Sequence, residues 1–174
     1  MNGLIAEMNH MAEEHNKGDI DIKVDESRFD NAYRTMAHGI NEMVFGHIAV
    51  KKKAMACVAE FGKGNFDAPL EKFPGKKAFI NEIIEDVREN LKGISAALKG
   101  LIAASHEGNI KKRADENKFD GDWKEMIGGV NAILDAVVEP INETVNIMQK
   151  MAKGDLTEAV LGDYRGEYLV LKNA

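Results

Sequence analysis

The feature that most constrains this chain is a short motif recurring at a nearly fixed interval. Glycine, then Asp or Asn, then an apolar residue appears as Gly18-Asp19-Ile20, Gly64-Asn65-Phe66, Gly108-Asn109-Ile110 and Gly154-Asp155-Leu156, at spacings of 46, 44 and 46 residues. A period of this size signals one supersecondary unit used repeatedly. At an offset of 90 the agreement reaches individual side chains. The segment from Asp25 to Asp30 aligns with that from Asp115 to Asp120, Tyr33 with Trp123, Met36 with Met126, Gly39 with Gly129 and Asn41 with Asn131. The second unit departs from this pattern: Phe73-Pro74-Gly75-Lys76-Lys77 replaces the Phe-Asp segment, and its apolar register runs one residue later.

Between the glycines the apolar residues step by three and four. One stripe reads Tyr33, Met36, Ile40, Met43, His47, Val50, Ala54, Cys57, Phe61; a second runs from Ile80 through Ile84, Val87, Leu91, Ile94, Leu98 and Leu101; a third runs from Trp123 through Val130, Leu134, Val137 and Ile141 to Met151. These are heptad seams, and a run of about 30 residues makes a helix of roughly 45 Å. Each motif glycine falls at the end of such a helix, where a left-handed residue closes the last turn without a Cβ penalty. About ten residues without helical period follow, carrying apolar residues at Ile20 and Phe29, Phe66 and Phe73, Ile110 and Phe119, and Leu156 and Tyr164. Asp30 and Asp120 then occupy N-cap positions. An extended stretch of ten residues reaches on the order of 33 Å, enough to run back along one helix and start the next in the same direction. A parallel helix pair has only a narrow seam, so a homodimer of four parallel helices is expected.

Composition narrows the function classes. With 23 Lys and Arg against 29 Asp and Glu the formal charge is −6, which disfavours a dedicated nucleic-acid binder. A single cysteine, Cys57, excludes an intramolecular disulfide and fits a reducing, cytoplasmic setting. No apolar run approaches the roughly 18 residues of a membrane span. Phosphate loop, nucleophile elbow and carboxylate cluster are all missing from the sequence, so an enzyme is not expected, and no cofactor or metal is implied. His10 and His15 are five apart and do not share a helical face; His47 and Cys57 read as packed seam residues, and Lys51-Lys52-Lys53 as a solvated face.

The repeated unit resembles the HAMP domain, the linker module of bacterial chemoreceptors and sensor histidine kinases. The family's connector opening, second apolar anchor and second-helix Asn are matched by Gly18-Asp19-Ile20, Phe29 and Asn41, and again by Gly108-Asn109-Ile110, Phe119 and Asn131. The fourth copy, with Asp163-Tyr164-Arg165-Gly166-Glu167-Tyr168, matches the connector and the start of the second helix. The acidic Asp-Glu-x-Gly start common in the family is missing from the first three units, which points to the divergent subtypes of poly-HAMP arrays. The segment Val137-Val138-Glu139-Pro140-Ile141 reads more like chemoreceptor than kinase sequence.

The resemblance implies an all-α fold of parallel homodimeric four-helix coiled-coil bundles, in helix-connector-helix units stacked end to end. The expected units are 1–49, 50–96 (the divergent one), 97–140 and a partial unit 141–174. Connector positions Gly18, Ile20, Phe29, Gly64, Phe66, Phe73, Gly108, Ile110, Phe119, Gly154, Leu156 and Tyr164 are expected to signal. Met36, Ile40, Met43, Val50, Ile84, Val87, Leu91, Val130, Leu134 and Val137 are expected to form the bundle core. The implied function is a cytoplasmic relay between sensor and output domains of the same chain, acting indirectly on a histidine kinase and its adaptor. A passive coiled-coil spacer, or the relay segment of a sensor kinase, is the alternative. The mid-helix glycines and Pro140 are candidate points of adjustment.

Overall fold

The computed structural model describes residues 2–172; Met1, Asn173 and Ala174, at the outer ends of the first and fourth expected units, lie outside the described residues. The chain is all-α, with no strand among the described residues. The helices are α1 (Asn2–Lys17), α2 (Asn31–Gly62), α3 (Phe79–His106), α4 (Gly121–Met151) and the short α5 (Glu167–Lys172), with single 3₁₀ turns in the first three connectors. The chain divides into two compact halves, Met1–Arg88 and Glu89–Ala174.

The same backbone solution ends all four motif helices. Gly18, Gly64, Gly108 and Gly154 have φ of +101°, +83°, +78° and +89°. In each case the glycine N–H donates to the carbonyl three residues back, and the next N–H donates five residues back, as in Asn109 to Ala104 at 2.8 Å. These bonds satisfy carbonyls that the helix end leaves open.

Entry into the next helix differs from the sequence expectation. Asp30 and Asp120 hold the N-cap positions in extended backbone, but neither side chain makes a cap hydrogen bond. The turn is made instead by the left-handed residue that follows, Asn31 at φ +50° and Gly121 at +53°. The carboxylates that bond locally are Asp25 and Asp115, which accept the N–H groups of Ser27 and Asn117 and open the 3₁₀ turns.

Within the N-terminal half the two helices of the first repeat run parallel. Gly3, at the start of α1, lies against the Phe29 ring just before α2, while His15 near the end of α1 packs edge-on against Phe45, midway along α2, at 6.3 Å. Leu4, Met11, Val24 and Ala37 form the buried cluster here, with Ile22, Phe29, Ile40 and Val44 against it. In the second repeat Ala54, Cys57, Phe61, Ala68, Phe73 and Ile84 are buried. In the C-terminal half Ile94, Phe119 and Ile127 are buried together, with Ala97, Leu98 and Ala114 around them. α4 is unbroken through Pro140.

The expected bundle core divides in two. Ile84 is buried and Ile40, Val50, Leu91, Val130 and Leu134 are half-buried, whereas Met36 (54% exposed), Met43 (60%), Val87 and Val137 are exposed on the chain taken alone. In α2 the residues buried against the protomer's own segments are Ala37 and Asn41 in the first repeat and, on a different side of the helix, Ala54, Cys57 and Phe61 in the second, where the two alanines allow close approach. The larger apolar side chains Met36 and Met43 lie beside the buried residues of the first repeat and stay exposed.

Candidate functional site

Side-chain ties hold each connector to its helices, and the repeats differ in how they make them. In the first repeat the Asn41 side chain, eleventh residue of α2, grips both backbone groups of Val24: the Val24 N–H donates to Oδ1 at 3.0 Å and Nδ2 donates to the Val24 carbonyl at 2.9 Å. Nδ2 also donates to Glu26 at 2.9 Å, and His38 lies 3.2 Å from the other oxygen of that carboxylate. These partners, Asn41 foremost, hold the Glu26 carboxyl below its ordinary value. Val24 is 1% exposed and Asn41 is buried, so the pairing removes what would be two unsatisfied main-chain groups.

The third repeat repeats this clamp at the offset of 90. Ala114 N–H donates to Asn131 Oδ1 at 2.9 Å, and Asn131 Nδ2 donates to the Ala114 carbonyl at 2.8 Å. A second tie is conserved in place but not in chemistry. Lys23 of the first connector lies over the Phe45 ring at 4.8 Å; the matching Arg113 bonds Asp135 through Nε at 2.8 Å.

The second repeat is built otherwise. Asn81, only the third residue of α3, takes the Phe73 N–H at 2.9 Å and donates to the Glu71 carbonyl at 2.7 Å, so its grip falls at the end of the connector. The start of that connector is held by Arg88. Its guanidinium donates to the Phe66 carbonyl at 2.5 Å, to Cys57 Sγ at 3.5 Å and to Glu85 at 2.8 Å, and lies over the Phe61 ring at 4.9 Å. Cys57 Sγ in turn approaches the Ala68 carbonyl at 3.6 Å.

In the fourth connector the tie comes from the incoming helix. The Glu143 carboxylate accepts the Leu161 and Gly162 N–H groups at 2.7 and 3.3 Å and the Tyr164 hydroxyl at 2.5 Å. The hydroxyl bond holds the Glu143 carboxyl below its usual range and pushes the Tyr164 phenol up to about 12. Glu143 stands eleven residues before its motif glycine and Tyr164 ten after; Glu7 and Arg28 occupy those positions in the first repeat and form an ion pair. In the third repeat they are Ala97 and Lys118, which line a cavity of about 560 Å³.

The expected connector residues therefore sit in different environments. Phe73 and Phe119 are buried, Phe29, Phe66, Ile110 and Tyr164 half-buried. Ile20 and Leu156 (73% exposed) are exposed on the chain taken alone, unlike Phe66 and Ile110 at the matching positions; in the first repeat Val24, six residues after the glycine, is the buried contact. Of the remaining sequence candidates, His47 is exposed and Cys57 buried. Val24, Asn81, Arg88 and Glu143 are the residues sequence reasoning missed. Among the described residues no cluster of three or more His, Cys, Asp or Glu converges as a metal site would require, and no helix is long and apolar enough to cross a membrane.

Comparison with known proteins bears on both halves. Residues 50–92 match the family model described as HAMP N-terminal domain 3, and residues 118–174 match that of the HAMP domain. The chain is also similar to methyl-accepting chemotaxis protein McpB of Pseudomonas aeruginosa, with 38% identity over 113 residues, 64% of this chain. It spans 17% of that protein's length.

Proposed function

The chain is a chemoreceptor-like tandem array of HAMP domains, and from that premise we propose that it relays conformational change between a sensor and a kinase-control output as a parallel homodimer. It acts without catalysis, on the cytoplasmic side. The observation that carries this reading is that α2 and α4 are unbroken helices of 32 and 31 residues. Each serves as the second helix of one repeat and the first of the next, so a rotation at one end arrives at the other. Along α2 the exposed apolar residues, Tyr33, Met36 and Met43 in the first repeat and Met55 and Val58 in the second, supply the surfaces on which a second copy would complete each four-helix bundle. Signal transfer needs two packings of comparable free energy that both ends can bias. The differing clamps of the second repeat support neighbouring units resting in different packings.

The test is disulfide crosslinking of single cysteines placed along α2 and α3 in a Cys57→Ser background. Crosslinking should peak at Met36, Met43 and, in α3, Ile83 and Val87, with the heptad phase shifting between the two helices. Absence of intersubunit crosslinks would remove the parallel dimer and the relay with it. One unbroken phase would keep the dimer and favour a passive spacer.

A further inference from the structure

The second repeat contains a polar node without a described counterpart in the first and third. Arg88 of α3 touches three segments of the N-terminal half: the Phe61 ring and Cys57 thiol of α2, the Phe66 carbonyl at the start of the connector, and Glu85 one turn back on its own helix. Its side chain is 11% exposed, and Phe61 packs edge-on against Phe66 at 6.4 Å. A planar guanidinium can bond in its plane and stack on a ring face at once, which an ammonium cannot. At the positions equally far from the motif glycine, the first and third repeats carry Glu42 and Ala132.

We propose that Arg88 is a positioning residue that fixes the rotational phase of α3 against α2 in the second repeat, by holding the incoming helix and the connector start in one node. The proposal deepens the relay reading and rests on it: in a relay, such a node makes the second repeat the unit through which a rotation of α2 is passed to α3. The connector's other end is held separately by Asn81, so releasing Arg88 frees the start while the end stays gripped.

Cys57, the chain's single thiol, lies beneath this node and is 4% exposed, so its alkylation reports node opening directly. In the intact 174-residue chain, Arg88→Met, which keeps an apolar stem, should raise the rate of Cys57 alkylation by iodoacetamide about tenfold, the effect of losing a charge-assisted hydrogen bond. Arg88→Lys should give a smaller rise and fail to restore the wild-type rate. Asn131→Ala, in the other half, should leave that rate unchanged. In the crosslinking experiment, Arg88→Lys should shift the α3 peaks at Ile83 and Val87 and leave those at Met36 and Met43 in place. Wild-type labelling rates in both Arg88 variants, or faster labelling with every crosslinking peak unmoved, would overturn the proposal. If Arg88→Met loses its helical circular dichroism, Arg88→Lys and Phe61→Leu decide by the same two criteria. Cys57 labelling needs no second copy, so a node that opens as described in a chain giving no intersubunit crosslinks would sink the relay reading and leave the node itself standing.

Discussion

The first and third repeats and the second solve one problem in opposite ways. All must pin an extended connector between two helices. In the first and third, an Asn eleven residues into the outgoing helix takes both main-chain groups of one connector residue, and a cation on the connector reaches the outgoing helix. In the second, the Asn is three residues in, and the cation sits on the outgoing helix and reaches back to the connector. Counted from the start of the helix, the grip moves by eight residues, about 12 Å of helical rise. The difference teaches that the glycine motif fixes where a connector begins and leaves free how the second helix is held. That freedom is what would let adjacent units rest in the different packings proposed above without losing the common backbone plan.

The sharpest way to break this comparison is to remove the clamps one at a time. Asn41→Ala leaves the Val24 N–H and carbonyl buried without partners, and should cost about 2 to 4 kcal/mol of local stability. Asn131→Ala should cost somewhat less, about 2 kcal/mol, since Asn131 is only half-buried and among the described residues bonds Ala114 alone. Asn81→Ala, partly solvated and backed by Arg88, should cost about 1 kcal/mol. Amide hydrogen exchange at Val24, Ala114 and Phe73 measures each clamp in place. Equal costs at Asn41 and Asn81 would mean that the two designs are energetically the same and the comparison is only geometric.

How much of this was legible beforehand follows from what each interaction depends on. The glycine closures were readable because a left-handed C-cap selects glycine locally, and four copies at a near-constant interval made the pattern visible. The all-helical fold was readable from the seams, since burial of one stripe requires that period. Asn41 and Asn131 were visible only as a matching pair; that each would grip a residue 17 positions earlier depends on tertiary approach. Val24 escaped notice because its match in the third repeat is Ala114, which carries no apolar signal of its own. Arg88 was hidden among the charges of α3, and only the placement of Phe61 and Phe66 around it separates it from a solvated arginine. The apolar residue after the motif glycine is half-buried at Phe66 and Ile110 and exposed at Ile20 and Leu156, because its cover comes from tertiary approach and not from the motif itself.

A smaller effect separates the first repeat from the third. Glu26 is part of the first clamp, and its folded pKa lies below the ordinary 4.5 through Asn41 and then His38. A depressed carboxylate contributes stability that is present above the unfolded value and is lost as pH falls through the folded one. Acidification below about pH 4.5 should therefore loosen the Val24 clamp first, seen as a few-fold faster exchange of the Val24 amide relative to Ala114 after correction for the intrinsic pH dependence. Glu26→Gln should keep an acceptor for Asn41 and remove the acid-dependent part. Parallel behaviour of the two amides in wild type would show that the carboxylate contributes nothing to the clamp.

The smallest expected effect distinguishes the two cationic ties, which share a position and differ in chemistry. The Arg113 and Asp135 pair joins an exposed carboxylate to a partly exposed guanidinium, so Asp135→Asn should cost no more than about 0.5 kcal/mol. That cost should shrink further as salt shortens the screening length. The Lys23 ammonium over Phe45 works through the ring quadrupole at short range, and Lys23→Met should cost a similar amount, about 0.5 kcal/mol. Here the cost should persist better at 1 M salt, because the replaced contact is partly dispersive and Phe45 also meets His15. Paired unfolding curves at 0.05 and 1 M salt test this: the difference between Asp135→Asn and its parent should collapse, and that for Lys23→Met should survive in greater part. If both collapse equally, the Lys23 tie is an ordinary surface charge effect, and the first and third repeats are then alike in their clamps and bound by equally weak second ties.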